Sequence, residues 1–342
     1  MEHKDFHDNH FNNIQVLRAV SAIFVILEHV RFLNCGAFGV DIFFCISGFM
    51  IMFSTHKSTK HFIKKRAIRI LPLYYIMTVG TFLLLLLFPS MFEQTTADPI
   101  FLLKSLLFIP FDIGSGVLQP LMRIGWTVNC EVFFYLLFFI AFHISHKYRG
   151  LICSVFLGVI VLVNHTLPTD FAPLRFYGNP VMLDFILGIL CYYAAWGIYN
   201  LYQKHSEGKL FPIISVFSLL TAISILVILV ITKPSINILS FRRPFLWGLP
   251  ALVLVLCFFV AGLHYQMPRP LIFIGNMSFS IYLIHYYPVM LLDRMVFDFS
   301  VYSPFAVFGV IISILICLGC SYISWLLIEK HLTRILNKLF LH

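Results

Sequence analysis

Charge is scarce in this chain. Only 11% of its 342 residues are Asp, Glu, Lys or Arg, against about 25% in a soluble globular domain. That shortage excludes an ordinary water-soluble enzyme, and a 60% hydrophobic content with mean hydropathy +0.92 points the same way. Acidic residues are the scarcer kind, 15 against 24 Lys and Arg. The basic excess follows the connections between apolar stretches, which fits membrane topology, so no nucleic-acid partner is expected. Paired cysteines are missing as well. The eight cysteines are scattered, mostly within apolar runs. Cys317 and Cys320 form a CxxC, but no second Cys or His pair stands near it, and a zinc site needs four converging ligands. No metal is expected, and His3, His7 and His10 read as part of a solvated tail. The chain also lacks a fixed-period repeat, which leaves no sign of the paired halves common in transporters. Its first apolar stretch lacks a small-residue cleavage site and follows a polar tail, so it reads as a retained span.

What is present is a series of apolar stretches long enough to cross a bilayer. They fall near 14–31, 37–54, 72–88, 126–144, 151–167, 180–199, 211–232, 244–262, 271–292 and 303–328. The stretch 100–111 is too short to cross and reads as re-entrant or interfacial. The expected fold is all-α: a multi-pass membrane protein with about ten transmembrane helices. Segments on the side of the N-terminus hold about twice as many Lys and Arg as the others, which places both termini in the cytoplasm. The expected organisation is a tail over 1–13, a membrane domain over 14–330 and a C-terminal tail over 331–342. The expected location is the inner (plasma) membrane, with lipids as partners.

Four groups of residues carry candidate chemistry. Ionisable side chains in a span are costly and therefore functional candidates. Arg18 and His29 are eleven residues apart, roughly three helical turns plus about 20°, so they share one face about 16 Å apart along the axis. Imidazole exchanges a proton near neutral pH and guanidinium holds an anion. The bland alternative is that Arg18 snorkels to the interface and His29 caps a helix end. Asp41 follows at the entry to the second stretch, with Gly39 and Gly48 permitting close helix approach. The second group is Arg66 and Arg69, at i, i+3 on one face, before Pro72, which should start a new helix with Tyr74 and Tyr75 at its mouth. Arginine forks suit a phosphate-bearing cofactor; anionic lipid headgroups are the equal alternative. The third is Trp126, at an interface, with Glu131 and Tyr135 at i, i+4. A buried Glu131 wants a His or Arg partner. The fourth is Ser278, Tyr282 and His285 on one stripe, either functional or helix–helix glue.

In these residues the chain resembles the acyltransferase 3 family of integral membrane acyltransferases. The Arg18–x10–His29 pair, GVDIFFCISGF (39–49), RAIRILP (66–72), WTVNCEVFFY (126–135) and SFSIYLIH (278–285) occur in the family's order. The wording of NIQVLRAVSA, GAFGVDIFF, SLLFIP and GWTVNCEVFFY is similar to the exopolysaccharide O-acetyltransferase branch. Phe279 stands where the family often has tyrosine, and His331 where proline is frequent.

The resemblance implies transfer of an acetyl or similar short acyl group. The donor would be cytoplasmic acyl-CoA, with acetyl-CoA the expected cosubstrate, and the acceptor a hydroxyl of a cell-surface or lipid-linked carbohydrate. It implies Arg18 and His29 as essential, and Arg66 and Arg69, with Tyr74, as the donor-binding set. His29 would accept the hydroxyl proton. Glu131 would orient His29 or hold its imidazolium. Arg18 would hold the pantetheine or phosphate portion, or stabilise developing charge. Asp41, Trp126, Tyr135, Tyr282 and His285 are candidates for the acceptor. Direct transfer and an acyl-histidine intermediate both fit. No appended hydrolase-like domain is visible, so the chain is expected to deliver the acyl group itself. The rival class is a transporter or flippase of a glycan or lipid-linked intermediate.

Overall fold

Apolar stretches of this kind satisfy their backbone hydrogen bonds internally, and helices result. The computed structural model describes residues 6, 11–91, 96–112, 116–167, 169–205, 210–233, 236 and 240–341. All ten apolar stretches are helical. Seven helices among the described residues are long and apolar enough to cross a membrane: Phe62–Leu87, Arg123–Ile144, Arg149–Thr166, Pro180–Lys204, Leu210–Thr232, Pro244–Gly262 and Pro304–Phe340. The expectation of about ten is thus met in part. Asn12–Glu28 has 17 residues and Gly39–Ser54 has 16, or roughly 24–26 Å against a hydrocarbon core of about 30 Å. The stretch 271–292 is divided into Arg269–Asn276, Ser278–Ile284 and Tyr286–Leu292. Pro288 lies in the last piece and has no N–H for the carbonyl of Ile284, which weakens the helix beside His285.

The short stretch near 100–111 forms Pro99–Leu106, capped by the Asp98 side chain accepting from the Ile100 N–H at 2.7 Å. An antiparallel ladder of Phe111–Asp112 with Leu118–Gln119 follows, a small departure from an all-α chain. Residues 331–342, expected as a tail, include the helix Thr333–Phe340.

The chain forms two compact units, Met1–Thr59 with Leu183–Ser321, and Lys60–Met182 with Tyr322–His342. In the first, helix Asn12–Glu28 packs on Arg269–Asn276 and on Gly39–Ser54, which in turn packs on Leu183–His205. The last contact is backbone to backbone. A Cβ on Gly48 would lie 2.2 Å from the Phe185 carbonyl oxygen, and one on Gly188 would lie 2.1 Å from that of Cys45. Close approach through glycine is the expected device for Gly48. Phe6, Phe11, Phe49, Phe53, Tyr192 and Phe259 form an aromatic cluster in the same unit.

In the second unit, Pro72 corrects an expectation. It lies inside Phe62–Leu87 rather than starting a helix. The helix begins after His61, whose φ of 57° makes the turn, and only one hydrogen bond, to Ile68, is lost at Pro72. Arg66 and Arg69 are therefore on the same continuous helix as Tyr74. Trp126–Ile144 packs on this helix and on Arg149–Thr166. Phe62 meets the rings of Tyr135, Phe138 and Phe142 there.

Candidate active site

The first helix ends at Glu28, and His29 is its C-cap, with its N–H bonded to Ile26. The His29 Nδ1 lies 3.0 Å from the Val25 carbonyl oxygen. On the facing helix, His285 is completely buried, and its Nδ1 lies 2.6 Å from the Tyr282 carbonyl oxygen. A carbonyl oxygen only accepts, so Nδ1 carries the proton in both rings. The lone pair of His285 Nε2 then faces His29 Nδ1 at 3.3 Å and shares its single proton with the Val25 carbonyl. The two rings meet edge to face at 4.8 Å, and Tyr286 packs on His29. In this tautomer the lone pair of His29 is on Nε2. Local sequence carries no signal for this pairing, because the partners are 256 residues apart.

Polar clamps set the position of the pair. Arg31 donates to Asp293 at 2.8 Å and to Asp298 at 3.2 Å, and the Phe32 N–H bonds the Phe299 carbonyl. Hydrogen bonds from the hydroxyl and N–H of Ser300 hold the Asp298 carboxyl below its usual range. These contacts tie the end of the first helix to the turn that follows the His285 helix. On the other side, the Glu28 carboxylate accepts from the N–H groups of Gly36 and Ala37, at 2.7 and 2.8 Å. The loop to the second helix is pinned by these bonds. Arg18 lies lower on the first helix, half-buried, and donates to Gln15.

Asp41 is placed differently from its expected acceptor role. Its two oxygens accept from Nε and a terminal nitrogen of Arg243, both at 2.9 Å, and the pair is almost wholly buried. The Arg243 guanidinium also lies 4.7 Å from the Trp247 ring centre. Asp184 is fully buried beside Asp41. Sequence reasoning missed this group. Arg243 counted only as a charge of an outer connection, and Asp184 could have been found as an acid inside the span 180–199. Tyr282 is buried against Phe43 and His285, and Ser278 is buried on the same short helix.

In the second unit, Arg66 is half-buried and Arg69 exposed. The Arg66 guanidinium lies over Tyr135 at 5.0 Å and over Phe62 at 5.7 Å. Tyr135 donates to Glu131. The structure thus brings Arg66, Tyr135 and Glu131 together. It also brings His29 beside His285, a residue first read as an acceptor contact. Tyr74 is fully buried, donates to the Ser105 carbonyl at 3.0 Å and stacks on Phe108. It supports the helix that carries the arginines. Trp126 is the first residue of its helix and half-buried.

The apolar helices of membrane-spanning length mark a multi-pass membrane protein, and it carries side chains of the types that exchange protons, a histidine pair at one helix end, and hold anions, an arginine pair on another helix. Residues 11–324 match the family model described as an acyltransferase domain, and the chain belongs to that family. It is similar to the exopolysaccharide production protein ExoZ of Rhizobium meliloti, 34% identical over 163 residues, covering 45% of this chain and 50% of that protein. It is similar also to the O-acetyltransferase OatA of Staphylococcus aureus, 26% identical over 354 residues, covering 93% of this chain and 56% of that protein. The chain therefore spans about half the length of these relatives. No solved structure matches it.

Proposed function

We propose that this protein is a multi-pass O-acyltransferase of the inner membrane. It moves an acetyl or similar short acyl group from cytoplasmic acyl-CoA to a hydroxyl of a cell-surface or lipid-linked carbohydrate, such as an exopolysaccharide. The observation that carries the reading is the His29–His285 pair in a chain of the acyltransferase family. His29 Nε2 takes the proton of the acceptor hydroxyl as its oxygen attacks the thioester carbonyl carbon. The carbon–sulfur bond breaks and the CoA sulfur leaves as thiolate, which then takes up a proton. His285 is a positioning residue that accepts from His29 Nδ1 and gains interaction as that ring becomes positive. Arg18 stabilises negative charge on the donor or on the developing oxyanion. The names of the relatives, one in exopolysaccharide production and one an O-acetyltransferase, support the class of acceptor and of acyl group.

Arg66 and Arg69 hold the phosphates of the donor. They lie at i, i+3 on one helix, and the ring of Tyr135 below Arg66 restricts one of the two forks. Replacing both with Ala raises the KM for acetyl-CoA at least about tenfold, since each charge-assisted bond contributes roughly 1.5–3 kcal/mol. Isothermal titration of the purified protein with CoA checks it. Unchanged CoA binding in the double variant would make the pair a lipid anchor.

Orientation is the second part of the reading. Lys60 and Lys209 are assigned to the cytoplasm, and Gln94 and Ser235 to the outer side, by the bias of basic residues. Lys209, Gln94 and Ser235 lie outside the described residues. Single cysteines at these four positions, labelled in intact cells with an impermeant maleimide, should react at 94 and 235 only. Labelling at 60 from outside would put donor entry on the wrong side.

A further inference from the structure

Two aspartates face each other inside the first unit, and one of them has no partner. The helices Gly39–Ser54 and Leu183–His205 run in the same direction. Their register follows from Phe44, which stacks on Phe185 at 4.5 Å between ring centres, and Phe49, which meets Tyr192 at 6.3 Å. Cys45 and Gly188 are level, since a Cβ on Gly188 would lie 2.1 Å from the Cys45 carbonyl oxygen. Asp41 and Asp184 each stand four residues earlier, on the same helix faces and one turn from that contact. The Asp184 carboxyl accordingly lies within hydrogen-bond reach of Asp41.

Both side chains are completely buried. Asp41 spends its two oxygens on the Arg243 fork. Neither oxygen of Asp184 has a hydrogen-bond partner among the described residues, and both are closed off from solvent. A Cβ on Gly248 would lie 2.2 Å from Asp184 Oδ1, so the chain on that side is pressed against the carboxyl. Neither water nor a metal ion has room at these oxygens. The charged or titratable groups around Asp184 are Asp41 and Cys45 on Gly39–Ser54, and Arg243, which precedes Pro244–Gly262. One guanidinium thus stands against two carboxyls. A buried carboxylate without a cation is so costly that it takes up a proton instead, and two adjoining carboxyls do not both stay ionised. A proton needs no cavity. It also supplies the missing bond, because a protonated carboxyl donates while a carboxylate only accepts.

We infer that Asp184 and Asp41 form a proton-binding site: Asp184 is a neutral acid that donates to the Asp41 carboxylate, which in turn accepts from Arg243. The site stands whether or not the acyltransferase reading holds. Folding takes the proton from water and unfolding returns it, since an aspartate in water is ionised above about pH 4. The folded state binds one more proton than the unfolded chain, so the contribution of this site to stability falls as pH rises. Removing the proton puts a second negative charge beside Asp41 and sets both carboxylates in competition for Arg243.

Infrared spectroscopy reads the proton directly. The detergent-solubilised protein at neutral pH should show the carbonyl stretch of a protonated carboxyl, moved to lower frequency by ¹³C-labelled aspartate and lost in Asp184→Asn. Absence of an aspartic-acid band from the parent overturns the site without any variant. A band that persists in Asp184→Asn places the proton elsewhere and overturns it too. Equilibrium unfolding is the second readout. Asn keeps an N–H donor toward Asp41, so the variant retains the pair with Arg243. The ratio of the parent's unfolding constant to that of Asp184→Asn should rise about tenfold per pH unit between roughly pH 5 and 8, for as long as the proton stays bound. Parallel pH curves would mean that Asp184 is ionised in both states, and would reject the proposal.

Discussion

His29→Ala is expected to reduce acyl transfer by roughly 10²- to 10⁴-fold, the usual contribution of a positioned general base. Folding should survive, because His29 is the C-cap of its helix and only partly buried. His29→Gln should not recover the rate, since an amide hydrogen-bonds but does not take up a proton at neutral pH. In the proposed reaction His285 acts through His29, so His285→Ala should cost less, and His285→Gln, which restores an acceptor toward His29 Nδ1, should regain part of it. The rate of label transfer from acetyl-CoA to polysaccharide in membranes, normalised to protein detected, gives these values. Substantial transfer by the His29→Ala protein, with loss in His285→Ala, would move the base to the ninth stretch and leave Arg18 and His29 as structural groups.

The second large effect is on stability. Breaking the Asp41–Arg243 pair leaves one charge buried without its partner. The two side chains are 0% and 5% exposed, so water does not compensate. Loss of one member of such a pair costs about 3–5 kcal/mol. Arg243→Met and Asp41→Asn should therefore each lower the temperature at which the detergent-solubilised protein loses its monodisperse peak, and lower its yield. Combining Arg243→Met with Asp41→Leu should recover much of the loss, because an apolar pair has no stranded charge. A single variant as stable as the parent would show that the buried fork carries little, and would return Asp41 to consideration as an acceptor contact.

These two groups differ in how far they could be read in advance. Apolar runs and intramembrane charges are local signals, and they located the helices and marked Arg18, His29, Asp41, Arg66, Glu131 and His285. Glycines at 39 and 48 marked close packing, and Gly48 does lie against the helix Leu183–His205. Pairings between distant residues were not legible. Nothing near His29 names His285, and nothing near Asp41 names Arg243, 202 residues away. The role of Pro72 was misread because proline at a helix start is the common case. Here the residues 62–71 before it are themselves helical, and the helix continues through the proline with one bond missing. The break at His285 within 271–292 lies beside Pro288, a signal present in the sequence but masked by the apolar residues around it. Glu28 escaped notice because its partners are backbone N–H groups, which no side-chain pattern shows.

In the proposed reaction, acyl groups pass from CoA on one side to carbohydrate on the other through this protein's own chemistry. Sealed vesicles with the Arg66-bearing face outward test it. They carry purified protein, [¹⁴C-acetyl]-CoA added outside and de-O-acetylated surface polysaccharide enclosed within. Alkali-labile label is expected on the enclosed polysaccharide, with free CoA outside in equal amount, and neither product with the His29→Ala protein. Label that enters the lumen without becoming esterified, or CoA release that does not depend on His29, would contradict it and favour a transporter.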